Sequence, residues 1–108
     1  MEDLTLEQIE QLPGPVLLEF GTGWCGYCQA AQPLISSALA EHPDVQHIKI
    51  EDGKGRRLGR QFGVKLWPSL IFLRDGKEIS RLVRPNNAEV ITQHLVGLDA
   101  PPAATASQ

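Results

Sequence analysis

The chain has few cysteines and no long apolar run, and each of these shortages excludes a class of protein. Two cysteines among 108 residues exclude a disulfide-rich secreted scaffold. No apolar run approaches the roughly 20 residues that a membrane-spanning helix needs. The start, MEDLTLEQIEQL, is acidic and amphipathic and has neither a basic n-region nor an apolar h-region. We therefore expect no signal peptide, no membrane association and a cytoplasmic location.

Basic residues are absent from the first 48 positions, and aromatic residues are scarce throughout. All ten Lys and Arg follow position 48, and they are densest in KGRRLGR, residues 54–60. No aromatic residue interrupts that segment, and the net charge is −3. Nucleic acid is therefore not expected as a partner. Residues 54–60 are interpreted as a solvated helix face, with electrostatic steering of an acidic partner protein as the alternative.

Apolar periodicity and turn signals predict the element order helix, strand, helix, strand, helix, strand, strand, helix. A capping box over Thr5–Gln8 begins the first helix, and Asp75-Gly76 predicts a type I′ hairpin turn. A crossover helix makes the first two strands parallel, and the hairpin adds an antiparallel edge. We expect an α/β sandwich with a mixed sheet of about four strands over residues 1–98, and a disordered tail over 99–108. The predicted strands are 15–20, 45–51, 69–74 and 77–84.

The two cysteines, Cys25 and Cys28, lie in GTGWCGYCQAAQP, where the first strand gives way to the crossover helix. Cys25 falls at or next to the helix N-terminus, where unpaired backbone N–H groups and the helix dipole stabilise a thiolate. Cys28 lies one turn further into the helix on the same face, so we expect it to be less exposed. This asymmetry suits thiol–disulfide exchange, in which Cys25 attacks a substrate disulfide and Cys28 resolves the mixed disulfide.

A structural crosslink and half of a zinc site are the alternatives for this pair. A disulfide that closes so short a loop constrains the unfolded chain little, and it is unusual in a reducing compartment. A zinc site needs two more ligands, and the three histidines, His42, His47 and His94, lack ligand spacing. We therefore expect a redox pair with no metal and no cofactor beyond the Cys25–Cys28 disulfide.

The motif WCGYC, the proline at Pro33 and WPS at Trp67–Ser69 together resemble the thioredoxin family. FGVKLWPSLIFLRDGKEI is similar to the family's cis-proline loop and last hairpin, and the resemblance runs from about Pro13 to Leu98. It implies a thioredoxin-like three-layer sandwich, with the N-terminal strand short or missing because only MEDL precedes the first helix. It also implies that Pro68 is a cis-proline facing the cysteines. The implied substrate-binding residues are Trp24, Gly26, Tyr27, Trp67 and Pro68.

Glu19 interrupts the first strand six residues before Cys25, where thioredoxins carry a buried acid. We predict that burial raises the pKa of Glu19 and that this carboxyl acts as the general base for Cys28. The alternative is a carboxylate that reaches solvent from the strand end. The resemblance also implies a basic partner for this acid, which would be either His47 or Lys49.

Several positions depart from the family pattern. The cysteines enclose Gly-Tyr instead of the common Gly-Pro, Gly21 stands where an aromatic is common, and Trp67 replaces a small aliphatic residue. The loop after the last strand, around Val83–Pro85, lacks the usual glycine. These departures imply a substrate surface with a preference of its own.

The leading functional interpretation is a cytosolic, monomeric protein-disulfide reductase. A reductase would supply electrons to Cys25 and Cys28, which would pass them to disulfide-containing protein substrates. One alternative is glutaredoxin-like exchange with glutathione as the donor. The other is a non-enzymatic thioredoxin-fold interaction module that binds its partner through Trp67 and residues 54–60.

Overall fold

The computed structural model describes residues 4–99, in which four strands and four helices follow the predicted order. The predicted disordered tail lies outside the described residues except for Asp99, which ends the last helix. The helices are α1 (Leu6–Glu10), α2 (Gly26–Leu39), α3 (Arg57–Gln61) and α4 (Ala88–Asp99), and the strands are β1 (Pro15–Gly21), β2 (Gln46–Glu51), β3 (Ser69–Arg74) and β4 (Lys77–Val83).

The four strands form one mixed sheet in the order β2-β1-β3-β4. β1 pairs in parallel with β2 and antiparallel with β3, and β4 pairs antiparallel with β3. The predicted α/β sandwich with a mixed four-stranded sheet is confirmed. Because β1 lies in the interior of the sheet, the turn that follows it starts from a fixed backbone position.

Both faces of the sheet are covered, which makes three layers. Alternate residues of β1 point to opposite faces, so one strand contributes to two separate cores. Helices α2 and α4 cover one face, and α1 and α3 cover the other. The first core consists of Leu17, Ala31, Ile35, Ala38, Val45, Leu70, Phe72, Ile91, Leu95 and Leu98. The second consists of Ile9, Val16, Leu18, Phe20, Ile50, Leu58, Ile71 and Leu73.

The helix ends follow from local sequence. Thr5 and Gln8 form the predicted capping box at the start of α1, with both reciprocal hydrogen bonds present. Of residues 54–60, interpreted from the sequence as a helix face, only those from Arg57 onward lie in α3. Gly53 and Gly55 adopt φ angles of 118° and 82°, which no right-handed helix contains. No helix in the described range is long and apolar enough to cross a membrane.

The hairpin turn between β3 and β4 docks on the end of α1. Asp75 and Gly76 have φ angles of 53° and 82°, so both central residues are left-handed, as the predicted type I′ turn requires. The Asp75 carboxylate accepts a hydrogen bond from the N–H of Gly14 at 2.8 Å. A Cβ atom on Gly76 would overlap the backbone carbonyl of Glu10. Glycine is therefore required here both by its φ angle and by the close approach of α1.

We expect Gly76→Ala to lower the free energy of unfolding by about 2 kcal/mol or more, because alanine disfavours the left-handed backbone and its Cβ displaces α1. The matched control is Gly97→Ala on the exposed side of α4, where no atom lies within 4 Å of the added Cβ. That variant should gain about 0.5–1 kcal/mol from helix propensity. Urea denaturation measures both values, and equal effects of the two substitutions would contradict the docking of this turn.

Candidate active site

Cys25 is the N-cap residue of α2, as the sequence predicts. Its backbone is extended, with φ −78° and ψ 120°, and the helix begins at Gly26. The backbone N–H of Cys28 donates a hydrogen bond to Cys25 Sγ over 3.1 Å. The sulfur therefore takes the position that a Ser or Asp oxygen takes in an ordinary N-cap. An amide donor and the positive end of the helix dipole both favour a negative charge on this sulfur.

Cys28 differs from Cys25 in chemistry more than in exposure. The two residues are 5% and 7% exposed, so the predicted difference in exposure is small. Burial raises the pKa of the Cys28 thiol, as do its hydrogen bond to Cys25 and the charges of Cys25 and Glu19. A backbone hydrogen bond at Thr22 lowers it, and the net pKa is about 11. At neutral pH, Cys28 is therefore a thiol that needs a base before it can act as a nucleophile.

Gly21, the last residue of β1, lies directly against the second sulfur. A Cβ atom added here would be 2.5 Å from Cys28 Sγ. The aromatic side chain common at this position in the family would not fit with Cys28 in this conformation. Glycine at position 21 thus leaves the space that the Cys28 sulfur occupies.

Glu19 is buried beneath the cysteines, with 4% of its surface exposed. Its carboxylate bonds to His47 Nε2 at 2.7 Å through Oε1 and accepts a hydrogen bond from Gln32 Nε2 at 2.6 Å through Oε2. Of the two candidate basic partners, His47 makes the contact. Lys49 contributes through its charge.

The predicted upward pKa shift of Glu19 is wrong in direction. Burial does raise the pKa of this carboxyl, but the hydrogen bonds of His47 and Gln32 and the charges of His47 and Lys49 together outweigh it. The net pKa lies below its usual value. The side chain is therefore a buried carboxylate anion at neutral pH, stabilised by its polar neighbours.

Gln32 connects this acid to the cysteine helix. Its Nε2 donates to the backbone carbonyl of Cys28 at 3.2 Å as well as to Glu19. A cavity of about 280 Å³ lies beside the group, lined in part by Glu19, Gly21, Cys28 and Gln32. Glu19 and Cys28 thus share a pocket, as the sequence interpretation requires.

Of the substrate-binding residues predicted from the resemblance, Trp24 and Gly26 adjoin Cys25 in the chain, and Trp67 contacts Trp24. The Trp67–Pro68 peptide bond is cis, and Trp24 and Trp67 meet edge to face with ring centroids 5.5 Å apart. Trp24 and Tyr27 are 74% and 59% exposed, and Gly26 is also exposed. Trp67 Nε1 donates to the Asp52 carboxylate at 2.8 Å, which fixes the orientation of this indole.

Three residues of the site were not predicted. Gln32 has a weak signal, since it follows Cys28 by one helical turn. Asp52 has none, because its contact with Trp67 joins segments 15 residues apart. Arg84 occupies the loop where the family's glycine is missing, and its guanidinium lies over the Tyr27 ring, 3.9 Å from the centroid.

The histidines are dispersed over the fold. His47 pairs with Glu19, whereas His94 bonds to Ser80 and stacks on Phe72. Among residues 4–99, no group of three or more His, Cys, Asp or Glu side chains could hold a metal ion. The geometry supports chemistry at the two sulfurs: one has an amide donor, and the other is a protonated thiol that shares a cavity with a carboxylate.

Comparisons with known proteins agree with this chemistry. The thioredoxin family model matches residues 5–96. Thioredoxin from Chlamydia muridarum is 40% identical over 70 residues, which cover 65% of this chain and 69% of that protein. Thioredoxin H-type 1 from Nicotiana tabacum is 29% identical over 84% of this chain and 71% of its own length.

A solved structure agrees in both fold and sequence. Thioredoxin 2 from Pseudomonas aeruginosa PAO1 in its reduced form superimposes with a TM-score of 0.82 at 52% identity, over 90% of each chain. The family match covers the sheet, the cysteine helix and the cis-proline loop together. This chain therefore belongs to the thioredoxin family and is a thiol–disulfide oxidoreductase with two cysteines, Cys25 and Cys28, in the positions of its C-x-x-C site.

Proposed function

We propose that the chain is a cytosolic protein-disulfide reductase in which Cys25 is the attacking sulfur, Cys28 the resolving sulfur and Glu19 the base. The observation that carries this assignment is the hydrogen bond from the Cys28 N–H to Cys25 Sγ at 3.1 Å. It favours the thiolate on Cys25, and the raised pKa of Cys28 keeps the second sulfur protonated until it is needed.

In the first step the Cys25 thiolate attacks one sulfur of a substrate disulfide. The substrate S–S bond breaks, a mixed disulfide forms, and the other substrate sulfur leaves as a thiolate. Trp24, Gly26 and Tyr27 on one side and Trp67 with Pro68 on the other offer the surface on which the substrate chain docks. An extended segment beside the cis-proline can pair with the backbone of Trp67.

In the second step Cys28 loses its proton and attacks Cys25 Sγ. Formation of the mixed disulfide removes the negative charge of Cys25, which is one of the causes that raise the pKa of Cys28. The thiol therefore becomes easier to deprotonate at the moment it is required. Glu19 accepts the proton, and its partner His47, 26% exposed, lies between this acid and solvent.

Attack by Cys28 releases the second substrate thiolate and leaves a Cys25–Cys28 disulfide, so two electrons have passed to the substrate. Glu19 and Cys28 both line the cavity of about 280 Å³, which is large enough for a water molecule to carry the proton between them. A reductase then restores the two thiols, and the family match over residues 5–96 favours such a donor over glutathione.

One chain carries every group that the exchange uses, so we propose that it acts as a monomer. The direction of exchange also suits the cytosol, where protein thiols are kept reduced.

We expect Cys25→Ser to abolish reduction of insulin disulfides, because the attacking sulfur is lost. Cys28→Ser should still attack and then stop at the mixed disulfide. Non-reducing gels of cell extract treated with each variant measure this difference. If Cys25→Ser accumulates the adducts and Cys28→Ser does not, the order of attack is reversed.

Glu19→Gln should slow resolution of the mixed disulfide at pH 7 by roughly tenfold or more, because Cys28 must then lose its proton unaided. The deficit should shrink as pH rises, since the Cys28 pKa lies below about 11 once the Cys25 charge is lost and the thiol then ionises without a base. Stopped-flow tryptophan fluorescence from about pH 6 to about pH 10 measures this.

Glu78→Gln is the control for that experiment, because Glu78 is a partly exposed acid on β4 paired with Arg81. It should leave the pH profile unchanged. A Glu19→Gln profile parallel to the wild type at every pH would remove Glu19 from the proton path.

A further inference from the structure

Arg84 has an unusual backbone for its residue type. It directly follows β4 with a φ of 51°, in the left-handed region that favours glycine. Its N–H donates to the carbonyl of Pro68 at 3.0 Å, so this loop is tied to the cis-proline segment. A large, charged side chain is therefore held next to the site at a position where glycine would be less strained.

The Arg84 side chain crosses between the two walls of the site. Its Nε donates to the backbone carbonyl of Trp67 at 2.8 Å, and its guanidinium lies 3.9 Å from the centroid of the Tyr27 ring. One wall is thus the residue before the cis-proline, and the other is a residue between the two cysteines. The charge thus lies between Tyr27 and the residue before the cis-proline.

The Arg84 guanidinium has N–H donors that make no hydrogen bond within residues 4–99. Of the five N–H groups of an arginine, one is used by Trp67. No carboxylate within residues 4–99 bonds to Arg84, whereas Arg81, three residues earlier in β4, is paired with Glu78. The neighbouring acid Asp52 is already engaged by the indole N–H of Trp67. Arg84 is therefore an exposed cation over Tyr27, between the two cysteines, with no carboxylate partner in the described part of the chain.

We propose that Arg84 determines substrate specificity, and that it selects disulfides flanked by a carboxylate side chain. A substrate strand that pairs with Trp67 competes for the carbonyl that Arg84 Nε holds. When the substrate N–H replaces that bond, the planar guanidinium is free to bind a carboxylate through two parallel hydrogen bonds. A substrate with a neutral or basic side chain at this position also breaks the bond between Arg84 Nε and the Trp67 carbonyl, but it offers the guanidinium no carboxylate in exchange. The proposal rests on the reductase function proposed above.

The test uses three peptides with one intramolecular disulfide, identical except for Glu, Gln or Lys next to the attacked cysteine. Single-turnover reduction by the fully reduced protein gives a second-order rate constant for each. We expect the Glu peptide to react roughly fivefold faster than the Gln peptide at low salt, and the Lys peptide to be slowest. The preference should weaken at high salt.

Arg84→Gln should bring the ratio of the Glu and Gln rates to about one. Arg84→Lys should keep part of the preference, because it retains the charge without the planar fork. The matched control is Lys77→Gln, which removes the same charge at the start of β4, roughly 23 Å along the strand from Arg84. That variant should keep the wild-type ratio.

Equal rates for the Glu and Gln peptides with the wild-type protein would overturn the proposal. So would an Arg84→Gln variant that lowers all three rates by one factor and keeps their ratio, since that is the effect of a purely structural loop contact. If the wild type reduces none of the peptides while its thiols are intact, the reductase function fails as well. If the wild type reduces all three peptides at equal rates, only the proposed role of Arg84 is overturned and the reductase function stands.

Discussion

The hydrogen bond from the Cys28 backbone N–H to Cys25 Sγ is the interaction on which the chemistry of this chain depends. It exists because β1 is an interior strand and only four residues separate its end from the start of α2, the last of which, Cys25, is the N-cap. A helix start always offers unpaired amides. In α2 these amides face the sulfur of Cys25, so ordinary N-cap geometry favours the thiolate form of this side chain.

The second constraint is a charge kept inside the protein. Glu19 is a buried anion, and an unpaired charge there would be costly. His47 and Gln32 supply its hydrogen bonds, and Gln32 also bonds to the carbonyl of Cys28. The groups that make the buried carboxylate tolerable therefore connect it to the helix of the resolving cysteine. The same hydrogen bonds therefore stabilise the buried charge and hold the carboxylate near the cysteine that it deprotonates.

Much of the fold and part of the site could be predicted from local sequence. Cys25 at a strand-to-helix junction and Asp75-Gly76 in a hairpin turn are set by neighbours along the chain, whereas the cis bond at Pro68 followed from the family resemblance. Contacts between distant segments were beyond such reasoning. The sign of the Glu19 pKa shift depends on partners 13 and 28 residues away, and Arg84 is close to the cysteines only because β4 ends there.

The most direct test removes the amide donor and keeps the attacking sulfur. In Cys28→Pro the N–H that faces Cys25 is absent, whereas Cys28→Ala keeps it. Position 28 lies in the first turn of α2, where proline is tolerated. Tyr27→Pro in the Cys28→Ala background is the control, because the Tyr27 N–H makes no bond to the sulfur in the described structure. Iodoacetamide should alkylate Cys25 at pH 7 roughly threefold to tenfold more slowly in Cys28→Pro than in Cys28→Ala, with the control close to the latter. Equal rates in all three proteins would contradict a role for this amide in favouring the thiolate.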